Sequence, residues 1–142
     1  MTENERILTQ INKITQIGQA GINSVMPKAQ QPALRQALKV QRFEYQSLGA
    51  RAKNLAKAKG LEIQNSSKMI RRMVGMASGL SLMRGDTDSQ IAGMMIQGNT
   101  RGMIKSLKDM HKVKNPDHEV SELAQKLLDT EIANIQQMEG FL

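Results

Sequence analysis

The sequence predicts an all-α protein. The expected architecture is an antiparallel four-helix bundle with ferritin-like connectivity, with a short extra helix in the long crossover between the second and third long helices. Three observations lead to it. Apolar residues recur at spacings of three and four through four long stretches. Aromatic residues make up only 2% of the chain (Phe43, Tyr45 and Phe141), whereas Met alone occurs 11 times. Unbranched side chains keep most of their rotamer freedom in a helix, and sheets favour the β-branched and aromatic residues that are scarce here. Finally, only three Pro interrupt 142 residues. That length is one domain's worth, spanning 1–142, and is enough to enclose a core.

The first helix is expected over Glu3 to Val25, with Ile7, Ile11, Ile14, Gly18, Ile22 and Val25 on one stripe. Pro27 and Pro32 bracket its exit, and Pro32 suits the opening turn of the next helix, where a missing N–H costs nothing. The second helix runs from Pro32 to about Lys59, along Leu34, Leu38, Gln41, Tyr45, Leu48, Ala52 and Leu55, and Gly60 is its stop. A short crossover helix is expected from Asn65 or Ser66 to about Met83, with Met69, Met73, Met76, Leu80 and Met83 as a seam. Gly85 then stops and Asp86-Thr87-Asp88 caps a third long helix ending near His111. That helix reads as apolar nearly all round and therefore central, with Gly98 and Gly102 marking a close helix crossing. Asn115 as N-cap and Pro116 at the first helical position open the fourth long helix. Its apolar residues are Val120, Leu123, Ala124, Leu127, Leu128, Ile132, Ile135 and Met138. Long helices of this length reach about 35–42 Å. Short first and last connections make each flanking pair an antiparallel hairpin, and the long middle one is what a ferritin-like crossover needs.

Composition excludes several functions. With no Cys there is no disulfide framework, thiol catalysis or thiolate metal site, which fits a reducing compartment. There is no apolar run of signal-peptide or membrane-spanning length, so the cytoplasm is the expected location. Neither a phosphate-binding glycine loop nor a nucleophile elbow occurs. The net charge of +7 is unevenly spread: residues 1–84 hold 14 Lys/Arg against 4 Asp/Glu, and residues 85–142 hold 6 against 9. Such asymmetry suits an anionic partner, a head-to-tail contact between copies, or simply a solvated helix face.

A polar residue on a core line costs free energy unless it is paired, so such residues are the best site candidates. Glu131 and Asn134 lie on the line of Leu127 and Met138, and Gln97 lies on that of Met94, Arg101 and Ile104. Tyr45 and Gln41 lie on the inner line of the second helix, flanked by Glu44. Glu44, Tyr45, Gln97, Glu131 and Asn134 would line a small-molecule or metal site if they meet. The competing reading is a buried hydrogen-bond network that fixes register, with Tyr45 or Arg101 satisfying Glu131. A two-metal carboxylate centre needs four central carboxylates and two central His. The His residues here, His111 and His118, flank a turn, and neither Glu44-x-x-Ser47 nor Glu131-x-x-Asn134 contains one. No cofactor is therefore predicted, and a metal ion is disfavoured.

The basic face of the second helix comprises Arg35, Lys39, Arg42, Lys53 and Lys57. It could contact phosphates, although the expected face has no stacking aromatic and no helix-turn-helix pattern accompanies it. The Met seam could face a partner or a membrane surface, or be ordinary core.

Two blocks carry a resemblance. Residues 89–104 (SQIAGMMIQGNTRGMI) and 131–142 (EIANIQQMEGFL), together with the Met-rich stretch from Met69 to Met83 and Tyr45, resemble small bacterial proteins of the ferritin-like four-helix-bundle class. That resemblance implies a ferritin-like bundle of unassigned function. The positions of Gln90 and Gln97 are commonly His and Glu in that family, and both are uncharged amides here, whereas Glu131 and Asn134 match its pattern. The leading expectation is a non-enzymatic, self-associating (dimeric) binding or structural module. The alternatives are a metal- or small-ligand-binding bundle with a degenerate site, and non-specific nucleic-acid binding through the basic face.

Overall fold

A computed structural model describes residues 1–63 and 85–142. The described chain is all helical, with α1 at Glu3–Val25, a 3-10 turn at Met26–Lys28, α2 at Pro32–Ala58, α3 at Thr87–Lys112 and α4 at His118–Glu139. The expected crossover helix and its Met seam lie outside the described residues. No helix among the described residues is long and apolar enough to cross a membrane.

The helix ends follow local chemistry. Thr2 caps α1 through a reciprocal box: its hydroxyl accepts the Glu5 N–H, and the Glu5 carboxylate accepts the Thr2 N–H at 2.9 Å. Pro32 opens α2, and Gly60 follows its end at φ +68, a conformation that a side chain would strain. Asp86 caps α3 by accepting the Ser89 N–H.

The start of α4 differs from the sequence expectation. The helix begins at His118 with Asp117 as its N-cap residue, two positions after Pro116. The turn before it is held by the beginning of α1 instead. The Lys114 and Asn115 N–H groups donate to the Glu3 carboxylate, and the Asp117 N–H donates to Asn4 Oδ1 at 2.9 Å. The Asp117 carboxylate takes Lys59 Nζ at 2.6 Å, which leaves it unavailable as a cap. Its hydrogen bond from Lys59 holds its pKa below the ordinary value.

Packing joins α1 to α2, α3 to α4, α1 to α3, α2 to α4 and α1 to α4. Leu8, Ile22, Leu34, Leu38, Ile91 and Leu127 are fully enclosed, each contributing about 1.5–3 kcal/mol of apolar burial. The helix expected to be central, α3, is not. Ile91, Ala92 and Met95 are its only buried apolar residues, Met94, Ile96 and Met103 are half-buried, and Ile104 is 46% exposed. Each helix of the bundle turns one face to a shared core, so a wide apolar stripe runs over its edge. The expected close crossing at Gly98 and Gly102 is also absent among the described residues. Gly98 faces open space, and Gly102 accommodates the side chain of Glu131.

Asp88 ties α3 to the turn before α2. It is 3% exposed and accepts the Gln30 and Gln31 N–H groups at 2.7 and 2.9 Å. Burial opposes its charge, but these two amides, with Arg35 nearby, hold its pKa below the ordinary carboxylate value. Its stabilising contribution is therefore present at neutral pH and is lost as pH falls through the acid range. Asp88→Ala is expected to cost about 1–3 kcal/mol in urea unfolding at pH 7, with the gap to the parent protein narrowing toward about pH 3.

Candidate functional site

A buried polar cluster sits at mid-bundle and draws on all four described helices. Tyr45 comes from α2, Asn99 from α3, and Glu131 and Asn134 from α4; all four are 1–3% exposed. Gly18 of α1 makes room for the tyrosine ring: a Cβ there would fall 2.6–2.9 Å from three ring atoms. One turn along α2, fully buried Gln41 donates to Gln137 Oε1 at 2.8 Å. Asn12 and Thr15 of α1 are buried as well, and the Thr15 hydroxyl donates back to the Ile11 and Asn12 carbonyls.

The Tyr45 hydroxyl donates to Asn99 Oδ1 in a short hydrogen bond and lies 3.5 Å from Glu131 Oε1. Asn99 Nδ2 in turn donates to the Met95 carbonyl at 2.8 Å. A tyrosine has one proton, so it satisfies Asn99 and an ionised Glu131 poorly at the same time. A protonated Glu131 resolves the conflict by donating its own O–H to the tyrosine oxygen, giving one direction from Glu131 through Tyr45 and Asn99 to the α3 backbone. The surroundings favour that form. The carboxyl lies against bare backbone at Gly102, where a Cβ would fall 2.5 Å from Oε2, and no cation pairs with it among the described residues. Burial pushes its pKa up from 4.5 to about 8, with Tyr45 pulling weakly the other way. Burial, and then the neighbouring Glu131 charge, also push the Tyr45 phenol well above its usual value.

The sequence candidates separate accordingly. Tyr45, Glu131 and Asn134 are brought together, and Tyr45 rather than Arg101 is the partner of Glu131. Glu44 is half-buried and outside the cluster. It lines a shallow groove between α2 and α4 with Arg51, Glu122, Lys126 and Asp129, and partial burial raises its pKa. Gln97 is exposed on the outer side of α3, and Asn99 occupies the inner position instead. The available signal was the row Ile91, Met95, Asn99, Gly102, Ser106, in steps of four, four, three and four. Among the described residues, Gln41 Oε1, Glu131 Oε2 and Asn134 Nδ2 have no hydrogen-bond partner, and no group of three or more His, Asp or Glu assembles to hold a metal ion. The exposed His118 instead meets Glu122 at 3.1 Å, and His111 is exposed too.

On the basic face, Lys39, Lys53 and Lys57 are exposed and Arg35 and Arg42 half-buried. Arg35 donates to the Ala29 and Gln30 carbonyls, and Arg42 donates to Asn23 Oδ1 at 2.9 Å. Contrary to the sequence expectation, an aromatic residue accompanies this face: Phe43, one turn from Lys39, is 69% exposed.

No protein-family model matches the chain, and no curated protein matches it. Among solved structures it is similar to a DUF305 fragment from Deinococcus radiodurans, with a TM-score of 0.72 and 18% sequence identity over 99% of this chain and 95% of that one. At that identity the likeness is one of fold.

Two outcomes follow from the cluster. The folded state retains a proton on Glu131 that the unfolded chain releases above about 4.5, so stability is expected to fall as pH rises from there through about 8. In melts across pH 5–9, Glu131→Gln is expected to flatten that decline and to be the more stable protein at the alkaline end. Tyr45→Phe removes the shared hydroxyl and is expected to cost about 1–3 kcal/mol at pH 7.

Proposed function

We propose that this chain is a non-enzymatic, ferritin-like helical module that acts by binding and by self-association, as a homodimer in the bacterial cytoplasm. Its mid-bundle polar cluster is a register-fixing network. The observation that carries this reading is the seating of Glu131: enclosed at 1% exposure, lodged against Gly102, and bonded within a chain of neutral partners. A carboxyl held this way specifies which turn of α2 meets which turns of α3 and α4, since sliding any helix by one turn would strand it unpaired.

Antiparallel connectivity is supported by the order of the contacts. Thr15 with Gly49, Gly18 with Tyr45 and Asn23 with Arg42 step in opposite directions along α1 and α2. Gly93 with Leu142 and Gly102 with Glu131 do the same for α3 and α4. A ferritin-like arrangement then needs the 64–84 segment as its single long crossover. The similarity to the DUF305 fragment supports a helical bundle, and that printed name assigns no activity. Self-association is supported by large apolar side chains on the outer sides of two helices packed together, Ile104 at 46% and Ile132 at 40% exposure. The absence of Cys suits a reducing compartment.

A second reading is favoured by the unpartnered buried atoms of Gln41, Glu131 and Asn134, namely a degenerate site for a small polar ligand or a metal ion. Elemental analysis of untagged protein, expressed with iron, manganese and zinc available, separates the two. Metal well below one equivalent is expected, and near-stoichiometric metal that disappears in Glu131→Ala would replace the network reading with the second one. For self-association, light scattering after size exclusion is expected to show a dimer that Ile104→Lys with Ile132→Lys converts to monomer. A parent protein that stays monomeric at about 100 μM, where even a weak Kd would show, would remove that part of the reading.

A further inference from the structure

From Arg6 to Leu61 the chain carries ten Lys/Arg and one acid, Glu44. Of those ten, only Lys59 forms an ion pair among the described residues. Glu44 lies in the groove with α4 and not on the face shared with α1. Residues 64–84 contain no Asp or Glu, so nothing in that segment can neutralise the excess. On α2 the charges form a row: Arg35, Lys39 and Arg42 toward one end, Lys53 and Lys57 toward the other, spanning roughly 33 Å at 1.5 Å per residue. Arg42 reaches Asn23 of α1, which places this row along the α1 side of the helix. Between the two groups of cations Phe43 projects into solvent, with uncharged Gln46 and Ser47 beside it.

We propose that this face of α2 binds single-stranded nucleic acid without sequence preference, the cations on either side of Phe43 meeting phosphates and the ring stacking on a base. The combination is specific in kind. A duplex offers phosphates but no free base face, so an exposed aromatic would have nothing to stack on. A lipid surface needs a broad apolar face at the interface. In α2 that face is committed to the core through Leu34, Leu38 and Leu48, leaving Val40 and Phe43 as its only exposed large apolar residues. A second copy of the chain would need an acidic face as long as the basic row, yet on α4 Glu119 is paired with Lys59 and Glu122 with His118, leaving exposed Asp129 and Glu139 without an ion pair among the described residues. An elongated row of cations without ion pairs around one aromatic is the pattern of a stacking platform set in an electrostatic track. Arg35 and Arg42 are anchored by hydrogen bonds to carbonyl oxygens, which holds two of the cations in place; Arg35 also lies near the buried Asp88, whereas Lys39, Arg42, Lys53 and Lys57 have no acid paired with them among the described residues.

The test is fluorescence anisotropy of a labelled oligothymidylate of about 20 nucleotides, titrated with the full chain across a salt series starting near 25 mM. Binding is expected to weaken linearly in log–log form as salt rises. Lys39→Gln with Lys53→Gln and Lys57→Gln is expected to make that slope shallower by about two units, from roughly 0.7 per lost phosphate contact. Phe43→Ala is expected to weaken binding about tenfold at every salt concentration with no change of slope, and Phe43→Trp to restore it. All four side chains are exposed, and thermal melts verify that the variants remain folded. Absence of binding at low salt would overturn the proposal. So would an unchanged affinity in Phe43→Ala, an equal or greater affinity for a duplex of the same length, or binding only to phosphatidylserine-containing vesicles.

Discussion

Around Glu131 the bundle has little freedom. A buried ionised carboxylate needs a cation or N–H donors, and at mid-bundle Glu131 has no cation and no N–H donor among the described residues. The chain supplies a neutral environment instead: a tyrosine, two asparagines and a stretch of bare backbone at Gly102. Tyr45 comes from α2, Asn99 and Gly102 from α3, and Asn134 from the helix of Glu131 itself, so seating one carboxyl group constrains how α2, α3 and α4 meet. Gly18 extends the constraint to α1, because the tyrosine ring reaches Glu131 only where α1 offers no side chain. Apolar packing drives the helices together, and this small polar layer distinguishes one alignment from its neighbours a turn away.

The ends of the bundle use carboxylates in the opposite way. Glu3 and Asp88 both accept from backbone N–H groups that no helix satisfies, in the turn before α4 and the turn before α2, and at Asp88 these amides hold the carboxylate charged. Amide donors stabilise the ionised form, whereas a tyrosine shared with an asparagine does not. One residue type therefore contributes oppositely to pH dependence: Asp88 favours folding once it is ionised, and Glu131 favours folding while it is protonated. The protein is consequently expected to be most stable between the two regimes, in mildly acidic solution near the ordinary carboxylate range, and to lose stability through neutral pH.

Much of this was legible from sequence. The limits of α1 and α2 follow from periodicity, Pro32 and Gly60, and the inward lines of α2 and α4 correctly place Tyr45, Glu131 and Asn134 in the core. The α3 helix was harder because Met and Ile occur on most of its sides. With so wide a stripe, periodicity did not decide between the Gln97 line and the Asn99 line, and it chose the exposed one. The opening of α4 was misread because Pro116 and Asn115 form a good local start. The competing partners, Glu3 and Asn4, lie more than a hundred residues away, where no local rule reaches them. Phe43 falls off the inner line of α2, so its exposure was legible in the same periodicity that buries Tyr45.

Those distant partners of the turn before α4 affect how the molecule opens. The amides of Lys114, Asn115 and Asp117 are covered by the Glu3 and Asn4 side chains of α1, across sequence separations of 111 to 113 residues. A turn whose amides are bonded within its own hairpin can exchange with solvent by a small local opening. Here exchange at these three positions requires the start of α1 to move away from the turn, so local opening of one is coupled to the other. The opening residues of α1 thus act as a latch on the α3–α4 turn, tying one helix pair to the other.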